Sequence, residues 1–121
     1  MIDVNTLPAC PVETTLTLIS DKWKILIVRD LLTGTKRFSE LRRSIGHISQ
    51  KVLTSNLRQM EADGLVHREV YPEVPPRVEY SLTDTGHSLK TVIDALWNWG
   101  EDYKCVLASW RPLCERCFSA V

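Results

Sequence analysis

The stretch from Ile48 to Val66, ISQKVLTSNLRQMEADGLV, constrains this chain more than any other, because its residues fit one helix with an apolar seam, a polar face and a defined stop. Ser49 suits the N-cap, where a hydroxyl accepts from an orphan amide of the first turn, and Gly64 sits where a left-handed residue ends a helix. At about 100° per residue, Leu53, Leu57 and Met60 gather on one side, while Lys51, Ser55, Arg58 and, at the edge, Thr54 gather on the other. The outward face is expected to carry no apolar residue. Its hydroxyls, amides and two cations, from Ser49 and Gln50 to Arg58, match the donors and acceptors of base edges and phosphates. An ordinary solvated helix face has the same composition, so the neighbouring segments decide between the two.

Those neighbours read as a helix-turn-helix. Val12 to Ser20 fits a first helix with Val12, Leu16 and Ile19 on one side, and Ser20 or Asp21 can cap the next. Lys22 to Leu32 carries Trp23, Ile25, Leu26, Ile27, Leu31 and Leu32 around much of its circumference, as a central buried helix does, and Gly34 ends it. Thr35 to Arg37 allows a very short strand. Ser39 then caps a brief helix to Ser44 with Phe38, Leu41 and Ile45 inward and Glu40, Arg42 and Arg43 outward, and Gly46 breaks it before the helix described first.

After Gly64 the hydrophobic period changes from 3.6 to 2. Leu65 to Tyr71 and Val78 to Leu82 alternate as two paired strands, and YPEVPPR between them is a projecting, proline-stiffened loop. Helix-turn-helix followed by such a ribbon predicts a winged helix, a mainly α fold with a small β-wing. Arg77 and Arg68 are the wing's candidate phosphate or groove contacts, with a solvated rim charge as the alternative for each.

Thr83 is placed to cap a final helix over Asp84 to Tyr103, on which Leu89, Val92, Ile93, Leu96, Trp99 and Tyr103 recur at helical spacing and Trp97 broadens the stripe. One small domain cannot bury all of it, which points to a dimer formed by the terminal helices; burial under the N-terminal helix is the competing explanation. A twofold dimer sets two recognition helices about 34–36 Å apart, one turn of DNA, and suits a palindromic site. The organisation expected is an N-terminal arm over 1–11, a winged helix-turn-helix domain with dimerisation helices over 12–104, and a tail over 105–121.

The 121 residues carry no net charge and a pI near 6.8, yet the charge is unevenly spread. Between Lys22 and Arg77 stand eleven Lys and Arg against six Asp and Glu, the footprint of a polyanion partner, while both flanks are acidic. No signal peptide or membrane span is visible, so a cytoplasmic protein is expected. An enzyme is disfavoured: His47, His67 and His87 are scattered, and no nucleophile motif or phosphate-cradling glycine loop is present. A winged helix that binds protein would need an apolar patch on the outward face of the helix from Ser49, and none is expected. Of the cysteines, Cys114 and Cys117 form one C-x-x-C, a weak zinc signal, and no metal or cofactor is expected. Cys10 is better placed for reactivity, just before the first helix and with Lys22 or Lys24 as candidate neighbours that would favour thiolate.

From Cys10 to about Tyr103 the chain resembles the HxlR family of bacterial winged-helix regulators. The cysteine before the first helix, DKWKILIVRDLL, KRFSELRRSI, ISQKVLTSNLRQMEADGLV and PPRVEYSLT carry that resemblance. It implies a homodimer held by the N-terminal and last helices, double-stranded DNA contacted through the helix from Ser49 and through the wing, and in many members control by oxidants or electrophiles at the cysteine matching Cys10. The expectation is a DNA-binding regulator, a repressor, reading an operator with Ser49, Gln50, Lys51, Thr54, Ser55, Arg58 and Arg77 and sensing redox state through Cys10. A regulator governed by a small molecule, with no thiol switch, is the alternative.

Overall fold

A computed structural model describes residues 4–108. After a single 3-10 turn at Val4–Thr6 come α1 (Pro11–Leu18) and α2 (Lys22–Leu31), then a two-residue strand β1 (Lys36–Arg37), α3 (Phe38–Ile45) and α4 (Gln50–Ala62). The ribbon follows as β2 (Val66–Tyr71) and β3 (Arg77–Leu82), and the chain continues through α5 (Asp84–Ser88) and α6 (Lys90–Ala108). The three strands form one antiparallel sheet in the order β1-β3-β2, with Lys36 opposite Tyr80 and Val66 opposite Leu82. The described chain divides into two units, one ending at Leu89 and the other starting at Lys90.

Local chemistry sets most of the boundaries. Asp21 Oδ1 accepts from the amides of Trp23 and Lys24, and Ser49 Oγ accepts from Val52 N at 3.2 Å, so α2 and α4 begin on side-chain caps as expected. The start of α3 differs. Its N-cap is Arg37, whose amide donates to Glu40 Oε1 at 3.0 Å, while Ser39 lies inside the first turn; the reach-back of the glutamate replaces the hydroxyl cap. The end of α4 falls where the sequence places it, at Gly64. Gly64 adopts φ +78°, its amide bonds Glu61 O, and Leu65 N bonds Met60 O, a complete C-terminal stop that turns Leu65 into the core and starts β2.

The core of the first unit joins Ile27, Val28 and Leu31 of α2, Leu41 of α3, Leu53, Leu57 and Met60 of α4, and Leu65, Val66 and Leu82 at the root of the ribbon. Full burial of each such side chain contributes roughly 1.5–3 kcal/mol. The same three α4 positions that form the seam in the sequence are therefore what fixes its other face outward. Asn56 is buried among them, its Nδ2 donating to Val52 O at 2.9 Å. Thr83 ties the ribbon's base together: its amide bonds Leu65 O, its hydroxyl donates to Gly64 O, and the same hydroxyl accepts from Gly86 N. Gly86 is pressed so close to the backbone just before β2 that a Cβ there would lie 2.1 Å from Leu65 O, so no other residue fits this approach.

The single helix expected from Asp84 to Tyr103 is broken. α5 ends at Ser88; the amide of its C-cap Leu89 bonds Gly86 O only three residues back, and Ser88 Oγ donates to Thr85 O, so the α5 ladder is not carried forward. α6 then runs past Lys104 and through Cys105 to Ala108. Cys114 and Cys117 lie outside the described residues.

Candidate nucleic-acid interface

Packing of the α4 seam leaves Gln50, Lys51, Thr54, Ser55, Arg58 and Gln59 lining one continuous shallow surface. This surface holds the residues expected there and adds Gln59. Ser49 stands at its upstream end, its oxygen occupied by the cap while its O–H remains free to donate. Val52 departs from expectation, being 37% exposed beside the polar face, so one apolar residue borders that face. Lys51 and Arg58 are exposed, and neither forms an ion pair among the described residues.

A second groove, lined by Phe38, Ser39, Arg42, Arg43, Gly46 and Gln50, continues from the start of α4 onto α3. Arg42 and Arg43 are exposed and unpaired among the described residues, like the cations of α4. Helix periodicity places both outward without assigning them to the site. The signal that could have joined them to it is the tight turn at Gly46, which sets the last turn of α3 beside the first turn of α4.

The wing is different in kind. Arg77 lies 3.5 Å from Glu73 and 3.4 Å from Glu79, and its guanidinium covers the Tyr71 ring at 4.2 Å from the centroid. Arg68 pairs with Glu61 of α4 at 3.3 Å, and His67 with Glu69 at 2.8 Å. Arg77, a candidate phosphate contact in the sequence, therefore stands beside two carboxylates and keeps about a third of its side chain exposed. At the tip, Val74 is 100% exposed between Glu73 and the two prolines. Tyr80 lines a small polar cleft with Arg58, Glu61 and Arg68. Burial pushes its phenol above the ordinary value, with Arg68 and Arg58 opposing the rise and Glu61 adding to it, so the hydroxyl stays a neutral donor at pH 7.

The apolar stripe of the last helical segment also divides. Leu89 and Ile93 are buried and Val92 half-buried, whereas Leu96, Trp97, Trp99 and Tyr103 are exposed, Trp99 at 69%. Trp99 and Tyr103 stack on each other with centroids 5.3 Å apart. The stripe is therefore covered at Leu89 and Ile93 and open at the tryptophans. Val12 and Leu16 of α1 are likewise exposed, so α1 shows an uncovered apolar face of its own.

Cys10 is an exposed free thiol at the N-cap of α1, with its carbonyl accepting from Thr14 N. The lysines expected near it are engaged elsewhere. Lys24 is only 4% exposed and its Nζ donates to Ser20 Oγ, while Lys22 Nζ lies over the Trp23 ring. Among the described residues no group of His, Cys, Asp and Glu is arranged to hold a metal, and no helix is long and apolar enough to cross a membrane.

A capped polar helix seated on a helix-turn-helix core and followed by a two-stranded ribbon defines a winged helix-turn-helix regulator of transcription, a DNA-binding class. The chain belongs to the HxlR-like helix-turn-helix family, whose model matches residues 18–106. It is 53% identical over 95 residues to YdeP of Bacillus subtilis strain 168, described as an uncharacterised HTH-type transcriptional regulator, covering 78% of this chain and 74% of that protein. Among solved structures it is similar to the redox regulator HypR in its reduced form, with 49% identity, TM-score 0.77 and coverage of 83% of this chain and 99% of HypR. The reduced form of the transcriptional regulator YodB from B. subtilis matches with 36% identity and TM-score 0.69, over 79% of this chain and 95% of YodB.

Proposed function

We propose that this regulator acts in the cytoplasm as a homodimer, without catalysis, and that each subunit lays α4 in the major groove of one half of a palindromic operator. Lys51, Arg58, Gln50, Thr54 and Ser55 face base edges and the adjoining phosphates, Ser49 donates to a phosphate at the helix start, and Arg42 and Arg43 hold the flanking backbone. The observation that carries the reading is the pairing pattern: these four cations are exposed and without an ion pair among the described residues, on two grooves that meet at Gln50, whereas the wing arginines are paired with glutamates. The wing's part is an exposed apolar tip at Val74. The exposed faces of α1 and α6, with Leu96, Trp99 and Tyr103 at the centre of the latter, support the dimer. Fluorescence anisotropy with DNA flanking the gene tests the interface: Lys51→Ala and Arg58→Ala should each lower affinity with the fold intact by circular dichroism, and unchanged binding in both across a salt series sinks it.

In the same reading, Cys10 makes operator binding redox-dependent. Its exposed thiol at a helix N-cap is open to oxidation to a sulfenic acid and capture by another thiol, and the similar structures include the redox regulator HypR in its oxidised form and YodB after diamide treatment. Diamide should lower operator affinity in the wild type and leave Cys10→Ser unaffected; equal loss in both removes Cys10 from the mechanism.

A further inference from the structure

Arg58 stands on a boundary. It lines the shallow polar surface of α4, and it also lines the cleft of about 190 Å³ that Glu61, Arg68 and Tyr80 enclose from the other side. The strand register sets Arg68 directly opposite Tyr80, so both side chains leave the sheet on the same face, the one turned to the last turns of α4. Beyond its own burial, the Tyr80 phenol feels three charges there, those of Arg68, Glu61 and Arg58.

Within this group one carboxylate serves two guanidinium groups. Glu61 follows Arg58 by three residues on α4, a spacing that makes side chains neighbours on a helix surface and lets opposite charges pair. They are not paired. Glu61 Oε2 lies 3.3 Å from Arg68 Nε instead, and Arg58 has no ion pair among the described residues.

The two pairings have opposite consequences for DNA. An Arg58 without a carboxylate offers its whole charge to a base edge or a phosphate, whereas one paired with Glu61 would be partly neutralised and drawn toward the cleft. We propose that Arg68 is a positioning residue for operator binding: by occupying Glu61 it keeps Arg58 free for DNA, and it does so without touching DNA itself. The inference rests on the DNA contact proposed for Arg58. It gives Arg68 a task that is neither a phosphate contact nor that of a solvated rim charge.

Operator affinity, measured by fluorescence anisotropy on variants whose fold is checked by circular dichroism, tests this. Arg68→Met should lower affinity roughly twofold per subunit, the worth of one ion pair on a helix, and so about fourfold for a two-subunit complex. Arg68→Lys keeps a cation for Glu61 and should recover most of that loss. In a Glu61→Gln background Arg68→Met should cost nothing, because no carboxylate remains to capture Arg58, and in an Arg58→Ala background it should cost nothing because there is no guanidinium to capture. A phosphate contact by Arg68, or a general effect of its charge, predicts the same loss in all three backgrounds; that outcome overturns the proposal, as does an equal loss in Arg68→Lys. Arg58→Ala alone separates this proposal from the reading beneath it. Unchanged binding in Arg58→Ala removes the contact and the positioning role together, whereas weakened binding there beside wild-type affinity in Arg68→Met overturns the positioning role and leaves the contact standing.

Discussion

The helix-turn-helix and the wing both carry arginines, and they hold them on opposite terms. On α3 and α4, Arg42, Arg43, Lys51 and Arg58 are exposed with no carboxylate partner among the described residues. On the wing, Arg68 is held by Glu61 and Arg77 by Glu73, Glu79 and the Tyr71 ring. Counting charges along the chain makes these regions look alike. What separates them is partner geometry: a cation already paired with carboxylates has less to gain from a phosphate than one with no carboxylate partner.

The strongest test of that contrast is at α4. Arg58→Ala should weaken operator binding by about 1–3 kcal/mol if the side chain reads a base, with the loss concentrated at one position of the half-site; a loss spread evenly over sequences would make it a backbone contact instead. Arg42→Ala and Arg43→Ala come next: each should weaken specific and non-specific DNA binding alike and lower the salt slope by about one, and an unchanged slope for both confines the interface to α4. Glu73→Gln would turn the wing toward the other region by leaving Arg77 with one carboxylate, Glu79, in place of two, so the slope should steepen and non-specific affinity rise. By contrast, Arg77→Ala should leave the slope as it was and cost less than about 1 kcal/mol of folding stability, read from urea midpoints. A slope that falls in Arg77→Ala would put the wing arginine back on DNA.

The smallest effect belongs to Tyr80, which sits between Arg58 of one region and Arg68 of the other. Its phenol is raised in the fold, chiefly by burial, so the folded state holds the proton more tightly than the unfolded chain does. Stability is therefore intact below the unfolded value near 10 and declines as pH rises through the folded one. Tyr80→Phe should match the wild type at pH 7 and lose this alkaline decline; identical alkaline titrations of stability would remove burial of the phenol as its cause.

Much of this is legible in residue order. The seam of Leu53, Leu57 and Met60, the Ser49 cap and the Gly64 stop follow from rules acting within four residues, and they aim the polar face by elimination. What periodicity does not show depends on distant partners. The wing arginines look free until the strand register sets Arg77 beside Glu79 and the α4 stop sets Arg68 beside Glu61. The break at Leu89 is hidden because the apolar spacing runs unbroken across it, whereas the features that mark it, the short Leu89 N to Gly86 O bond and the Ser88 hydroxyl on Thr85 O, leave no trace in hydrophobicity. Cys10 falls between: its place at the N-cap of α1 is readable from Pro11, and the whereabouts of Lys22 and Lys24 are not.

The Thr83 hydroxyl, which joins Gly64 to Gly86, gives the ribbon a closed base and an open tip. Opening of the ladder then has one cheap direction. Amides near Tyr71 and Arg77 are released by fluctuations that disturb only the proline loop, while those of Val66 and Leu82 are released only when the root of the ribbon leaves the core. Hydrogen exchange along the wing should therefore be graded, fast at the tip and slow at the base, so that this element meets its partner with a compliant end on a stiff stem.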